Sequence, residues 1–135
     1  MMEHKGIVIH CADTFPAMDT TAEDIDGWHK ARGWDGIGYH FVICRNGTIQ
    51  QGRLLGTKGA HARGKNSWVG ICVVGGKAHP GKQIFNFTHN QIESLYIKVR
   101  QVQKQFNISN SNVIGHNEVS DKACPAFDVR AWIGD

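Results

Sequence analysis

Two short stretches limit what this chain can fold into more than any other feature: Ile7-Val8-Ile9-His10-Cys11 and Val69-Gly70-Ile71-Cys72-Val73-Val74 are apolar without alternation. A strand with one wet face alternates polar and apolar residues, whereas a strand covered on both sides reads as a continuous apolar run. Both stretches are therefore expected to be buried strands with helices packed on each face of their sheet. Two capping signatures supply those helices. Thr20 with Glu23 precedes a segment in which Ile25, Trp28 and His29 share a face, so a helix is expected over about 21–32, closed by Gly33. Thr88 with Gln91 opens the longest periodic run, Ile92, Leu95, Tyr96, Val99, Val102 and Phe106. Tyr39 to Arg45 and Thr48 to Arg53 flank Asn46-Gly47 and read as antiparallel strands joined by a two-residue turn. Val113-Ile114 forms a short strand, and a last short helix holds Val129 and Trp132. The stretch 54–68 is rich in Gly, Lys and Arg without periodicity, the pattern of a long exposed loop that lines a site. The order implies an α/β fold: a single domain with a central mixed β-sheet flanked by α-helices.

A chain of 135 residues suits one domain, 1–135, and a division would leave neither half a sufficient core. Lys and Arg number 15 against 12 Asp and Glu, a net charge of +3 with 20% charged residues, which excludes intrinsic disorder. The basic residues are spread along the chain, with only a loose group at Lys58, Arg63 and Lys65. No nucleic-acid partner and no membrane insertion are expected from that distribution and from apolar runs far below the ~20 residues that span a bilayer. The first residues carry no long apolar segment and no small-residue cleavage site, so the chain is expected to be cytoplasmic as synthesised. Its four cysteines are then expected to be reduced. Cys11, Cys44 and Cys72 lie in or at the ends of apolar runs and read as small buried hydrophobes, whereas Cys124 sits in the polar stretch Asp121-Lys122-Ala123-Cys124-Pro125.

The eight histidines sort by context. His4, His79 and His89 have polar or turn surroundings and are expected to be solvated, His29 is expected in the core, and His40 points into the sheet. His10 and His116 each end an apolar strand, where ligands of sheet-and-helix proteins collect. With Cys124, held extended by Pro125, they offer two imidazoles and one thiolate. Three protein ligands leave a tetrahedral position for water, the catalytic form of a zinc site. The competing chemistry is Cys124 as a nucleophile with His116 as its base.

Ile7 to Ala12, Trp28-His29-Lys30 with Gly33-Trp34, Gly38-Tyr39-His40-Phe41, Arg45-Asn46-Gly47-Thr48, Gly70 to Gly76, and Gly115-His116 through Lys122-Ala123-Cys124-Pro125-Ala126-Phe127-Asp128 occur in one order. That order resembles the zinc-dependent N-acetylmuramoyl-L-alanine amidases, a superfamily that includes the peptidoglycan recognition proteins, and especially the amidase-type lysozymes of lytic bacteriophages, the endolysins. The resemblance covers nearly the whole chain. It implies a hydrolase that cuts the amide between N-acetylmuramic acid and L-alanine in peptidoglycan, with one Zn2+ per chain on His10, His116 and Cys124. Tyr39 and Lys122 match the two catalytic helpers, a hydrogen-bonding acid/base group and an oxyanion stabiliser. If Tyr39 joins the site at the strand end, its strand must run antiparallel to 7–11. His61 matches a position near the groove, Arg63 and Asn66 join it as expected substrate contacts, and His40 is a candidate for supporting a metal ligand from behind. Lys58, Arg63 and Lys65 are candidates for the stem-peptide carboxylates.

A monomer is expected, acting on peptidoglycan after release with the help of a separate membrane-permeabilising protein. Trp68 stands where the family has a small Ser after a longer loop, which bears on the groove wall. The chain also starts almost at its first strand, so the binding of phage RNA polymerase known among relatives is not carried over. The main alternative is a non-catalytic peptidoglycan-binding module. Such relatives typically lack the cysteine ligand, and Cys124 favours the enzyme. A cysteine peptidase and a polymerase-binding regulator are further alternatives, neither of which requires zinc.

Overall fold

The computed structural model describes residues 2–134, and Met1 and Asp135 of the expected 1–135 domain lie outside them. β1 (Ile7–Cys11) is buried along its whole length. It lies between β4 (Val69–Val73) and β7 (Val113–Gly115) in a five-stranded sheet, completed by β2 (Phe41–Ile43) and β3 (Ile49–Gln51) in the order β3-β2-β4-β1-β7. β2, β4, β1 and β7 are parallel and β3 is antiparallel to β2, so the sheet is mixed as expected.

The two faces explain the unbroken apolar runs. Ile7, Ile9, Phe41, Ile43, Val69, Ile71 and Val73 point to one side and pack on Leu95, Val99 and Val102 of α2 (His89–Phe106). Val42, Cys72 and Val74 point to the other and meet Ile25 of α1 (Ala22–Ala31). Beside them Val8 and Ile114 pack under Ala62 and Trp68 of the long loop. Fully burying each such aliphatic side chain is worth about 1.5–3 kcal/mol.

Several expectations are corrected. β1 and β2 are not antiparallel: both pair parallel to β4. The inference assumed that the site lies beyond a strand end, whereas His10 stands opposite Cys72 on the sheet face and the Tyr39 side chain reaches it from the segment before β2. The first capping box is Thr21 with Asp24, not Thr20 with Glu23. Thr20 is buried, and the shifted pair satisfies the same spacing rule. Trp28 leaves the apolar face of α1 and is 41% exposed, while Ile25 and His29 are buried. The hairpin turn has three residues: Cys44 accepts the Gly47 N–H at 2.8 Å and donates to the Thr48 carbonyl at 2.8 Å. Gly47 takes φ 92°, the left-handed conformation such a turn requires.

His4 is buried, not solvated. Its Nδ1 donates to the Ser67 carbonyl at 2.7 Å and its Nε2 accepts the Gly56 N–H at 2.8 Å, fastening the N-terminal segment to the long loop. His89 is exposed, as expected. A two-residue hairpin, β5 (Lys77–Ala78) with β6 (Lys82–Gln83), and a terminal helix α3 (Val129–Ile133) complete the elements that matter for the site. No helix among the described residues is long and apolar enough to cross a membrane.

Candidate metal centre

The site begins with strand register. β1 and β7 are parallel neighbours with Ile9 opposite Gly115, so the next residue on each, His10 and His116, stand side by side. Their ring centroids are 4.5 Å apart. His10 is 1% exposed within the sheet, while His116 opens a tight turn, His116–Glu118, directly after β7. Glu118 holds that turn closed, since its carboxylate accepts the Gly115 N–H at 2.8 Å and pairs with Arg130 of α3.

The chain then folds back to deliver Cys124. A Cβ on Gly115 would stand 3.1 Å from Pro125 and 3.1 Å from Val129, so the returning loop packs directly on the β7 backbone. The Cys124 sulfur accepts the Cys11 N–H at 2.9 Å. One potential ligand atom from each of His10, His116 and Cys124 lies within 4.8 Å of the others.

The electrostatics suit a cation. Burial holds the His10 pKa well below the ordinary imidazole value, helped by His61 and His116, and His116 is lowered by burial and then by the Lys122 charge. Both rings are therefore neutral near pH 7 and keep the lone pair a metal needs. The Cys124 thiol is pushed up, first by its hydrogen bond with the Cys11 thiol and then by burial. Ligand atoms of Cys124 and His116 lie within 4.8 Å of each other, and a cation between them would supply the charge that a thiolate at this buried position needs. Two imidazoles and a sulfur fit a borderline-soft divalent cation and leave a coordination position open.

Tyr39 reaches the cluster. Its ring centroid is 5.0 Å from that of His10 and 5.6 Å from that of His29. Burial, then the surrounding thiols, raises its pKa well above the usual phenol value, which keeps the hydroxyl a donor. Lys122 is exposed on the rim, two residues before Cys124. His29 is buried as expected but lies in the groove lining, its Nδ1 accepting the Gly38 N–H at 2.9 Å. His40 is held by the Gly70 N–H at 3.0 Å and the Thr57 carbonyl at 2.8 Å, and its ring lies edge-on to that of His61 with centroids 5.9 Å apart.

The expected substrate contacts separate. His61 lines the groove and its Nδ1 lies 2.9 Å from Nε2 of His10. Asn66 instead braces the loop, its Oδ1 accepting the N–H groups of His61 and Ala62 at 2.7 and 2.9 Å. Arg63 is exposed outside the groove lining. Lys65 lies over the Trp68 ring, 4.2 Å from its centroid, and neither Lys58 nor Trp68 lines the groove. The groove, about 1000 Å³, takes its cations from elsewhere: Arg32 after α1, Lys77 and Lys82 of the small hairpin, and Lys122. Trp28, Trp34 and Phe15 add aromatic surface. Apart from Lys122, these positions carry no shared sequence signal, because α1 and the small hairpin meet only across the groove.

Comparison with known proteins shows the family of the chain. Residues 1–127 match the family described as N-acetylmuramoyl-L-alanine amidase. An endolysin of Klebsiella phage KP32 is 38% identical over 131 residues, covering 96% of this chain and 85% of the phage protein. The solved N-acetylmuramoyl-L-alanine amidase LysC from Clostridium intestinale superposes with a TM-score of 0.81 at 32% identity, over 98% of this chain and 86% of that one. Drosophila PGRP-LB superposes with a TM-score of 0.79 at 25% identity, over 98% and 81%. Sequence likeness along nearly the full length and a shared backbone frame point the same way, and the chain belongs to the N-acetylmuramoyl-L-alanine amidase family.

Proposed function

We propose that this chain is a zinc hydrolase of the endolysin type, cleaving the amide bond between N-acetylmuramic acid and L-alanine in peptidoglycan and so lysing the wall. The observation that carries the reading is the gathering of His10, His116 and Cys124 at one point on the floor of the groove. Zinc held there, one per chain, supplies Lewis acidity that polarises the scissile carbonyl and acidifies water. The remaining work falls to side chains. Tyr39, protonated and fixed beside His10, donates a hydrogen bond at the reacting centre and serves as an acid/base group. The Lys122 ammonium on the rim faces negative charge developing on the amide oxygen. Arg32, Lys77 and Lys82 meet the stem-peptide carboxylates, a role that replaces the one expected of Lys58, Arg63 and Lys65.

The chain acts as a monomer on the wall after release, which a separate membrane-permeabilising protein provides. A purely recognising module would keep the groove without needing three convergent ligands, and the cluster favours the enzyme. Digestion of purified peptidoglycan tests the assignment. Newly exposed alanine amino groups without new reducing sugar ends are expected, and their loss with a chelator. New reducing ends, or binding without any cleavage, would overturn it.

A further inference from the structure

We infer that His61 is a positioning residue for the metal ligand His10, an inference that rests on the zinc reading above. Both nitrogens of the His61 ring are engaged inside the protein. Nε2 lies 2.8 Å from the Trp68 carbonyl, which can only accept, so Nε2 carries the hydrogen. The neutral ring then presents a lone pair at Nδ1, 2.9 Å from Nε2 of His10. His10 donates there, which fixes its tautomer with the hydrogen on Nε2 and turns the Nδ1 lone pair to the cluster. No polar atom of His61 remains for a substrate.

The ring is held in a slot. A Cβ on Gly70 would lie 2.5 Å from its Cγ, and one on Gly59 would lie 2.7 Å from its Cδ2, so two glycines let the imidazole lie flat against backbone. The far end of the relay is anchored as well. The Trp68 indole covers Gly6, where a Cβ would come within 2.2 Å of the ring, and the Lys65 ammonium sits 4.2 Å from the indole centroid. Trp68, which does not shape the groove wall, thus sets the carbonyl that orients His61, and His61 orients His10. Metal-bound histidines depend on such an outer partner for orientation and basicity, and losing it typically costs about 10–100-fold in metal affinity.

The test measures zinc affinity by competition with a chromogenic chelator, for the parent chain, His61→Phe and His61→Asn, with the melting temperature of each metal-free form as the folding control. His61→Phe is expected to weaken zinc by about 10–100-fold while the Michaelis constant for peptidoglycan at saturating zinc stays near parental. His61→Asn places an amide oxygen near the old Nδ1 and is expected to recover most of that loss. His61→Leu replaces His61→Phe, with the same expectation, if the phenylalanine variant does not fold. Parental zinc affinity in His61→Phe with a raised Michaelis constant would overturn the inference and return His61 to the substrate. Equal loss in the Asn and Phe variants would also overturn it, because packing and not the hydrogen bond would then carry the effect. A parent chain that binds no zinc overturns the functional reading itself, an outcome distinct from both.

Discussion

His40 makes the fold acid-sensitive, chiefly through its burial. Burial, reinforced by His4 and Arg53, lowers its pKa from 6.5 to about 4 against the opposing hydrogen bond to the Thr57 carbonyl. The unfolded chain therefore takes up this proton first as pH falls. The stabilising contribution is complete above about pH 6.5 and is lost between there and about 4, at roughly 1.4 kcal/mol per pH unit. Urea midpoints of the metal-free chain are expected to fall from pH 7 to pH 5, and to fall less in His40→Gln; equal parental midpoints at both values would contradict this. Tyr39→Phe and Lys122→Ala should keep zinc content and peptidoglycan pull-down while lysis drops about 100- to 1,000-fold, since both groups act in the transition state. Near-parental lysis in both variants would remove their assigned roles. The gathering of His10, His116 and Cys124 was legible from the polar context of Cys124 and the order of motifs, although His10 lies within β1 opposite Cys72 and not beyond the strand's end. His4 was not, because its partners Ser67 and Gly56 are brought to it only by the fold.

Among the elements, α2 was the most legible, since its apolar period and the Thr88–Gln91 capping box act locally and the structure keeps both legs of the box. Thr88→Ala should cost about 1 kcal/mol, or somewhat more because the hydroxyl also donates to the Arg45 carbonyl at 2.7 Å; an unchanged urea midpoint would contradict that. The first capping box shifted by one residue because Thr20-Thr21 and Glu23-Asp24 satisfy the same spacing in two registers. Strand direction was not legible. Whether β1 and β2 are parallel depends on their common neighbour β4, a pairing between distant segments that no local pattern reports. The segment before β2 is also where backbone crowding is most severe: a Cβ on Gly38 would stand 1.9 Å from the Ala60 carbonyl oxygen. Gly38→Ala is expected to destabilise by about 1–3 kcal/mol, read from the urea midpoint, and parental stability would show that the 57–61 loop yields freely.

For the whole molecule, the sequence conveyed the layered α/β arrangement and the three residues that converge, while the groove's basic wall emerged only once α1, the small hairpin and the 116–124 loop were brought together. The modest net charge of +3 concealed that concentration of cations along one groove. On the zinc reading, a chain whose three metal-holding residues meet only when folded is stabilised by what binds them, so zinc should raise its melting temperature, and Cys124→Ala should abolish that rise along with activity. The zinc reading places catalysis on one metal ion held by His10, His116 and Cys124. Its most direct test titrates the metal-stripped chain with zinc while following the release of alanine amino groups from purified peptidoglycan. The expected result is no release without metal and a linear rise to a plateau at one zinc per chain; full activity in the metal-stripped chain would contradict the account.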